Sequence, residues 1–144
     1  MEAPLVATGW LFRHGWRVEE HMNGNLFRLS PGTFSYPLCA KIIKPKYKDG
    51  VDTRGEVEMN REIEILLRKD DNENICGVVS AELLKGNLCV MVIKEMEHDL
   101  FFFLEGYNSK ASDETIRALI TKILGGLAWL HKHGIIHMDM KPEN

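Results

Sequence analysis

The chain has 144 residues, 44% hydrophobic and 27% charged, with a formal net charge of −3. That is one domain's worth of chain, long enough to bury a core, and its charge gives no electrostatic reason to expect nucleic acid or an anionic membrane as partner. The longest apolar run, Leu88–Ile93, is strand-sized and far short of the ~20 residues of a membrane span, and "MEAPLVATGW" lacks the basic-then-apolar order of a signal peptide.

In chain order, residues 1–15 read as an N-terminal extension. "WRVEE" (Trp16–Glu20) and "NLFRL" (Asn25–Leu29) read as strands joined at Asn23-Gly24, a hairpin turn signal. "SPGT" at Ser30–Thr33 breaks the chain before a third strand, "YPLCAKII", ending near Ile43. From Arg54 to Lys69 the period changes: Met59, Ile63, Leu66 and Leu67 fall on one helical face, and Asp70–Asn74 ends the helix with turn formers. "GVVSAELL" and "LCVMVIKEM" follow as two more strands around Lys85-Gly86-Asn87, and a short helix is expected near Asp99.

The long helix is the clearest element. Ser112 is its N-cap, Asp113 and Glu114 put negative charge in the first turn, and Gly134 supplies the stop. Ile116, Leu119, Ile120, Ile123, Leu124 and Leu127 form an apolar stripe whose burial is worth on the order of 10 kcal/mol. Gly125 and Gly126 inside it cost about 1 kcal/mol each relative to Ala, which points to close packing against another element. Five strands with one helix after the third, then helices, then a polar loop, make an α+β fold with an antiparallel sheet.

Three cysteines, Cys39, Cys76 and Cys89, are an odd number without metal-ligand spacing, so neither a disulfide framework nor a zinc site is expected. They fit a reducing compartment, cytoplasmic with the nucleus left open. His131 and His133 point to different helix faces and read as solvated side chains, not a metal pair.

The chemistry concentrates in "HMDMKPEN", His137–Asn144. Asp139 can accept or orient a hydroxyl proton, Lys141 can neutralise phosphate, and Asn144 can give a neutral oxygen to a hard cation, which are the needs of phosphoryl transfer. For Asp-x-Lys alone, a polar capping loop is the competing reading. The whole string resembles the H-R-D-x-K-P-E-N catalytic loop of eukaryotic protein kinases, with Met138 in place of Arg, and "ILGGLAWLHKHGIIH" resembles the helix that leads into it. Lys141-Pro142-Glu143-Asn144 is similar to the Ser/Thr subgroup.

That resemblance covers residues 16–144 and implies an N-lobe over about 16–96 and the start of a C-lobe over about 97–144. It implies ATP and Mg²⁺ as cofactors, Asp139 and Lys141 as catalytic residues and Asn144 as a metal ligand. "LCAKII" resembles the strand bearing the phosphate-holding lysine, Lys41. Its acidic partner on the next helix would be Glu62, with Glu58 the alternative. Leu26 and Cys39 would sandwich the base, Ile93 would be the gatekeeper, the backbone of Lys94 and Met96 would meet adenine, and Asp99 would meet the ribose.

Besides Met138, two further features depart from the family pattern. Where a glycine-rich loop belongs, the chain reads "EEHMNG", keeping only Gly24, with Glu19 and Glu20 near the expected phosphates. No Asp-Phe-Gly triplet occurs in the 144 residues, so the reading expects further segments after Asn144, or a naturally truncated kinase. Two functions follow: a divergent Ser/Thr kinase acting on protein hydroxyls, or a half-kinase or pseudokinase regulating another kinase. The implied partners are a protein substrate or a partner kinase, with self-association through the long helix.

Overall fold

A computed structural model describes residues 3–44, 47–48, 51–52, 56–67, 72–106 and 111–144. The chain divides into two compact units, residues 1–69 with 76–95, and residues 70–75 with 96–144.

The first unit is built on a five-stranded sheet. Its strands are β1 (Val18–Asn23), β2 (Leu26–Leu29), β3 (Leu38–Ile43), β6 (Val78–Leu84) and β7 (Leu88–Lys94), in the order β1-β2-β3-β7-β6. Every pairing is antiparallel, as the alternation of strands and short turns requires. A small hairpin, β4 (Tyr47–Lys48) with β5 (Val51–Asp52), lies between β3 and the first lobe's helix α2 (Glu56–Leu67). The sequence expected that helix over Arg54–Lys69; residues 54–55 and 68–71 lie outside those described.

The first turn falls one residue later than the Asn-Gly pair suggests. Asn23 pairs with Leu26, so Gly24-Asn25 are the two loop residues, and Gly24 alone has a positive φ, 45°. That is the pattern of a type II′ turn, with glycine first, where Asn-Gly would make type I′. At the β6–β7 turn, Gly86 (φ 76°) and Asn87 (φ 56°) both adopt the left-handed conformation their side chains tolerate.

The register separates two sheet faces. Phe27, Leu29, Leu38, Ala40, Ile42, Val90 and Val92 share one face and are buried. Helix α1 (Ala3–Arg13) covers it, contributing Ala7, Trp10 and Leu11, all buried in the same cluster. Trp10 Nε1 donates to Glu82 Oε2 at 2.7 Å, and its ring stacks on His14 at 4.3 Å. Helix α1 is therefore part of this unit's core. Ala7, Trp10 and Leu11 at i, i+3, i+4 carried that signal in the sequence. On the opposite face, α2 lays Met59, Ile63 and Leu66 against Cys89 and Met91.

The second unit holds α3 (Leu100–Gly106), α4 (Asp113–Lys132) and the terminal loop. Ser112 caps α4 by accepting the Thr115 N–H at 3.2 Å, with Asp113 and Glu114 in the first turn. At the other end the Ile135 N–H reaches Leu130 O at 2.9 Å and the Gly134 N–H reaches His131 O at 3.0 Å. With Gly134 at φ 75°, that is a Schellman stop, closed by contact-making Ile135 and Leu130, both buried. The two glycines are explained by Asn74. A Cβ on Gly126 would stand 2.8 Å from Asn74 O, and one on Gly125 2.8 Å from Asn74 Nδ2. Along the apolar stripe, Ile116, Ile120 and Leu124 remain exposed. No helix among the described residues is long and apolar enough to cross a membrane.

Candidate functional site

The terminal loop is launched by the Schellman stop, and its residues close on Asp139. Asn144 Nδ2 donates to both Asp139 O, at 2.7 Å, and Asp139 Oδ2, at 3.0 Å. Lys141 Nζ stands 3.6 Å from the same Oδ2. The Asp139 N–H donates to His137 Nδ1 at 3.2 Å, and the Asn144 N–H to Lys141 O at 3.0 Å. Because the Asn144 amide nitrogen is spent on Asp139, its Oδ1 is the end left to meet a cation. Met138 sits at φ 56°, in the left-handed region, with its side chain 90% exposed. A long side chain held there, without packing to compensate, is the kind of local strain found at functional loops.

One hydrogen bond ties the loop to α3: the Phe101 N–H donates to Pro142 O at 3.0 Å. At the start of α3, Asp99 Oδ1 accepts the Phe102 N–H at 2.7 Å. Asp99, expected at a ribose, is thus the N-cap of α3.

In the first unit, four of the residues assigned to ATP lie on one sheet face. Lys41 is opposite Leu26 on β2 and Met91 on β7; one pair further along, Cys39 is opposite Arg28 and Ile93. Cross-strand partners share a face, so Leu26, Lys41, Cys39 and Ile93 form two adjacent rows. Lys41 is exposed, whereas Cys39 is buried. Glu62 is exposed on α2, between Met59 and Leu66 in the helical rows. Among the described residues no ion pair joins it to Lys41; the side chain of the alternative, Glu58, lies outside them. The Lys94 N–H is used by Gly77 O at 3.1 Å, while its carbonyl accepts from the Cys76 thiol, a weak donor, at 3.9 Å. Met96 opens the second unit, 54% exposed.

The segment "EEHMNG" is strand and tight turn. Irregularities interrupt its pairing at Val18/Glu20 and His21/Asn23, His21 stacks on Phe27 at 4.6 Å, and His21 Nε2 lies 3.1 Å from Gly24 O. This is a closed hairpin; a phosphate cradle needs successive backbone N–H groups converging on one point.

Sequence reasoning missed Arg28. Its Nη2 donates to Glu95 Oε1 at 2.9 Å, its Nε bridges both Glu95 oxygens at 3.1 Å, and its Nη1 pairs with Glu20. The Glu95 hydrogen bond and charge, then Glu20, push the guanidinium further above its ordinary value. Burial first, and the Glu95 charge second, push the Cys39 thiol up to about 11. Glu20, which looked like bare negative charge, shares the Arg28 guanidinium with Glu95.

The model of the protein kinase domain matches residues 33–144, from the β2–β3 connection to the last residue of the loop. The chain belongs to the protein kinase family. Cyclin-dependent kinase D-1 of Oryza sativa subsp. japonica is 38% identical over 104 residues, 72% of this chain and 23% of the relative. Cyclin-dependent kinase E-1 of Arabidopsis thaliana is 27% identical over 131 residues, 81% of this chain and 28% of the relative. The mouse serine/threonine-protein kinase MAK is 42% identical over 53 residues, 37% of this chain and 8% of that protein. The chain thus spans about a quarter of the length of the cyclin-dependent kinases it matches. The structure of the yeast RNA Pol II CTD kinase CTDK-1 complex superposes with a TM-score of 0.62 over 90% of this chain and 40% of that one, at 18% identity, which shows the shared fold.

Proposed function

We propose that these residues form the nucleotide-binding sheet and catalytic loop of a divergent ATP-dependent Ser/Thr protein kinase. The closed set of Asp139, Lys141 and Asn144 around one carboxylate, in a loop held by a strained Met138, carries the reading. Asp139 positions and accepts the proton of a protein hydroxyl, and Lys141 offsets charge on the transferred group. Asn144 holds the Asp139 carboxylate in place through Nδ2 and offers Oδ1 to Mg²⁺. Among the described residues no cluster of three or more acidic, His or Cys side chains stands ready for a metal, so Mg²⁺ would arrive on the nucleotide. ATP supplies the phosphoryl group. Lys41 neutralises its α- and β-phosphates, Glu62 orients Lys41 once nucleotide draws the pair together, and the Leu26–Cys39–Ile93 face takes the base. The three cysteines, without metal-ligand spacing, support a reducing compartment, cytoplasmic with the nucleus left open.

A second reading, a non-catalytic regulator of another kinase, is favoured by one specific observation. The Glu19–Gly24 segment is a hairpin in place of a phosphate cradle. Phosphate transfer separates the two. Residues 1–144 contain no Asp-Phe-Gly carboxylate, so alone they should label no protein substrate from γ-labelled ATP and Mg²⁺. The longest natural product carrying them should do so, and should lose the activity in Asp139→Asn. A natural product that binds a kinase yet never transfers phosphate would replace the first reading with the second.

A further inference from the structure

Cys39 is 5% exposed, yet it belongs to neither of the first unit's hydrophobic clusters. Helix α1 covers the opposite face, and the α2 cluster gathers around Cys89 and Met91. On its own face Cys39 has apolar Ile93 on one side and an ion pair on the other. Arg28 is directly opposite Cys39 on β2. Glu95 follows two residues after Ile93, the partner of Cys39 on β7, and so projects on the same side; its backbone N–H is fixed to Pro37 O at 2.9 Å. The Arg28–Glu95 bonds therefore run diagonally across β3, past Cys39. Glu20, opposite Arg28 on β1, extends the line to the hairpin that stands where a glycine loop is expected.

We propose that the Arg28–Glu95 pair, extended to Glu20, is a built-in cover over the Cys39 row that a nucleotide's base must displace. This rests on the reading of that face as the base-binding surface. The side chains of Glu95, Arg28 and Glu20 are 14%, 39% and 57% exposed, so the pair is anchored at the Glu95 end and open to solvent ions at the other. Added salt screens such exposed charges, so the cover loosens as ionic strength rises.

Cys39 reports the cover without any nucleotide. In a Cys76→Ser background, which removes the exposed thiol, labelling by a maleimide is followed at Cys39 by peptide mass mapping. Arg28→Met keeps the apolar stem, and Glu95→Gln keeps the shape; each should speed Cys39 labelling by about tenfold or more, the scale of one lost charged hydrogen bond. Salt should speed labelling in the parent and not in Arg28→Met, a response that general loosening would not show. The same two variants should bind ATP with Mg²⁺ more tightly than the parent. Unchanged labelling in both variants overturns the cover. Faster labelling with equal ATP affinity in all three proteins overturns the competition with the base. Faster labelling with no ATP bound by any of them leaves the cover standing and removes the nucleotide reading beneath it.

Discussion

Met138 is exposed with a left-handed backbone, and Cys39 is buried beside an ion pair. Met138 holds φ 56° while exposed, so its substitutions report backbone conformation more than packing. Met138→Val, β-branched and ill-suited to that region, should cost roughly 1–2 kcal/mol in urea denaturation, whereas Met138→Asn should be close to neutral. Equal costs would show that the backbone there is unstrained. Cys39 makes a prediction in pH. Its thiol rises from 9.0 to about 11 on folding, so between those values the unfolded chain releases a proton that the folded one keeps. The contribution is intact below about pH 9 and is lost as pH climbs toward 11. Wild type should therefore lose stability across that window more steeply than Cys39→Ala, and parallel curves would contradict the burial. That Asp139, Lys141 and Asn144 belong together was legible in the string itself. Arg28 was not, because an ion pair between β2 and the end of β7 spans 67 positions of sequence and has no local pattern.

At the level of elements, period and punctuation were enough to find the five main strands, α2 and α4, and the Ser112 and Gly134 ends of α4. They did not find α1, whose short apolar spacing was passed over, or the register of the first turn, which shifts from Asn23-Gly24 to Gly24-Asn25. The unexpected β4–β5 hairpin pairs only four residues, too few to show a period. The paired glycines of α4 give the sharpest test. Helix propensity alone would make Gly126→Ala stabilising by about 1 kcal/mol. The 2.8 Å approach to Asn74 O, a backbone atom that cannot rotate away, reverses the sign, and a loss of about 1–3 kcal/mol is expected by thermal or urea unfolding. Gly125→Ala meets the movable end of the Asn74 side chain and should cost less. A gain in Gly126→Ala would show that the segment does not press on the helix.

For the molecule as a whole, the exposed stripe on α4 behaves as surface in these residues. Ile116, Ile120 and Leu124 are 41%, 50% and 58% exposed. Leu124→Gln should then change unfolding stability by no more than about 0.5 kcal/mol. It should also lower any concentration-dependent association seen by sedimentation velocity. A loss of several kcal/mol would mean the stripe is already buried. Family membership rests on the match over residues 33–144. Beyond it, Lys41, exposed on β3, is held to bind nucleotide despite the closed hairpin. Calorimetric titration of wild type and Lys41→Met with ATP and Mg²⁺ tests it most directly. Weak binding, no tighter than about micromolar, is expected, falling below detection in Lys41→Met. Sub-micromolar binding that Lys41→Met leaves unchanged would contradict it.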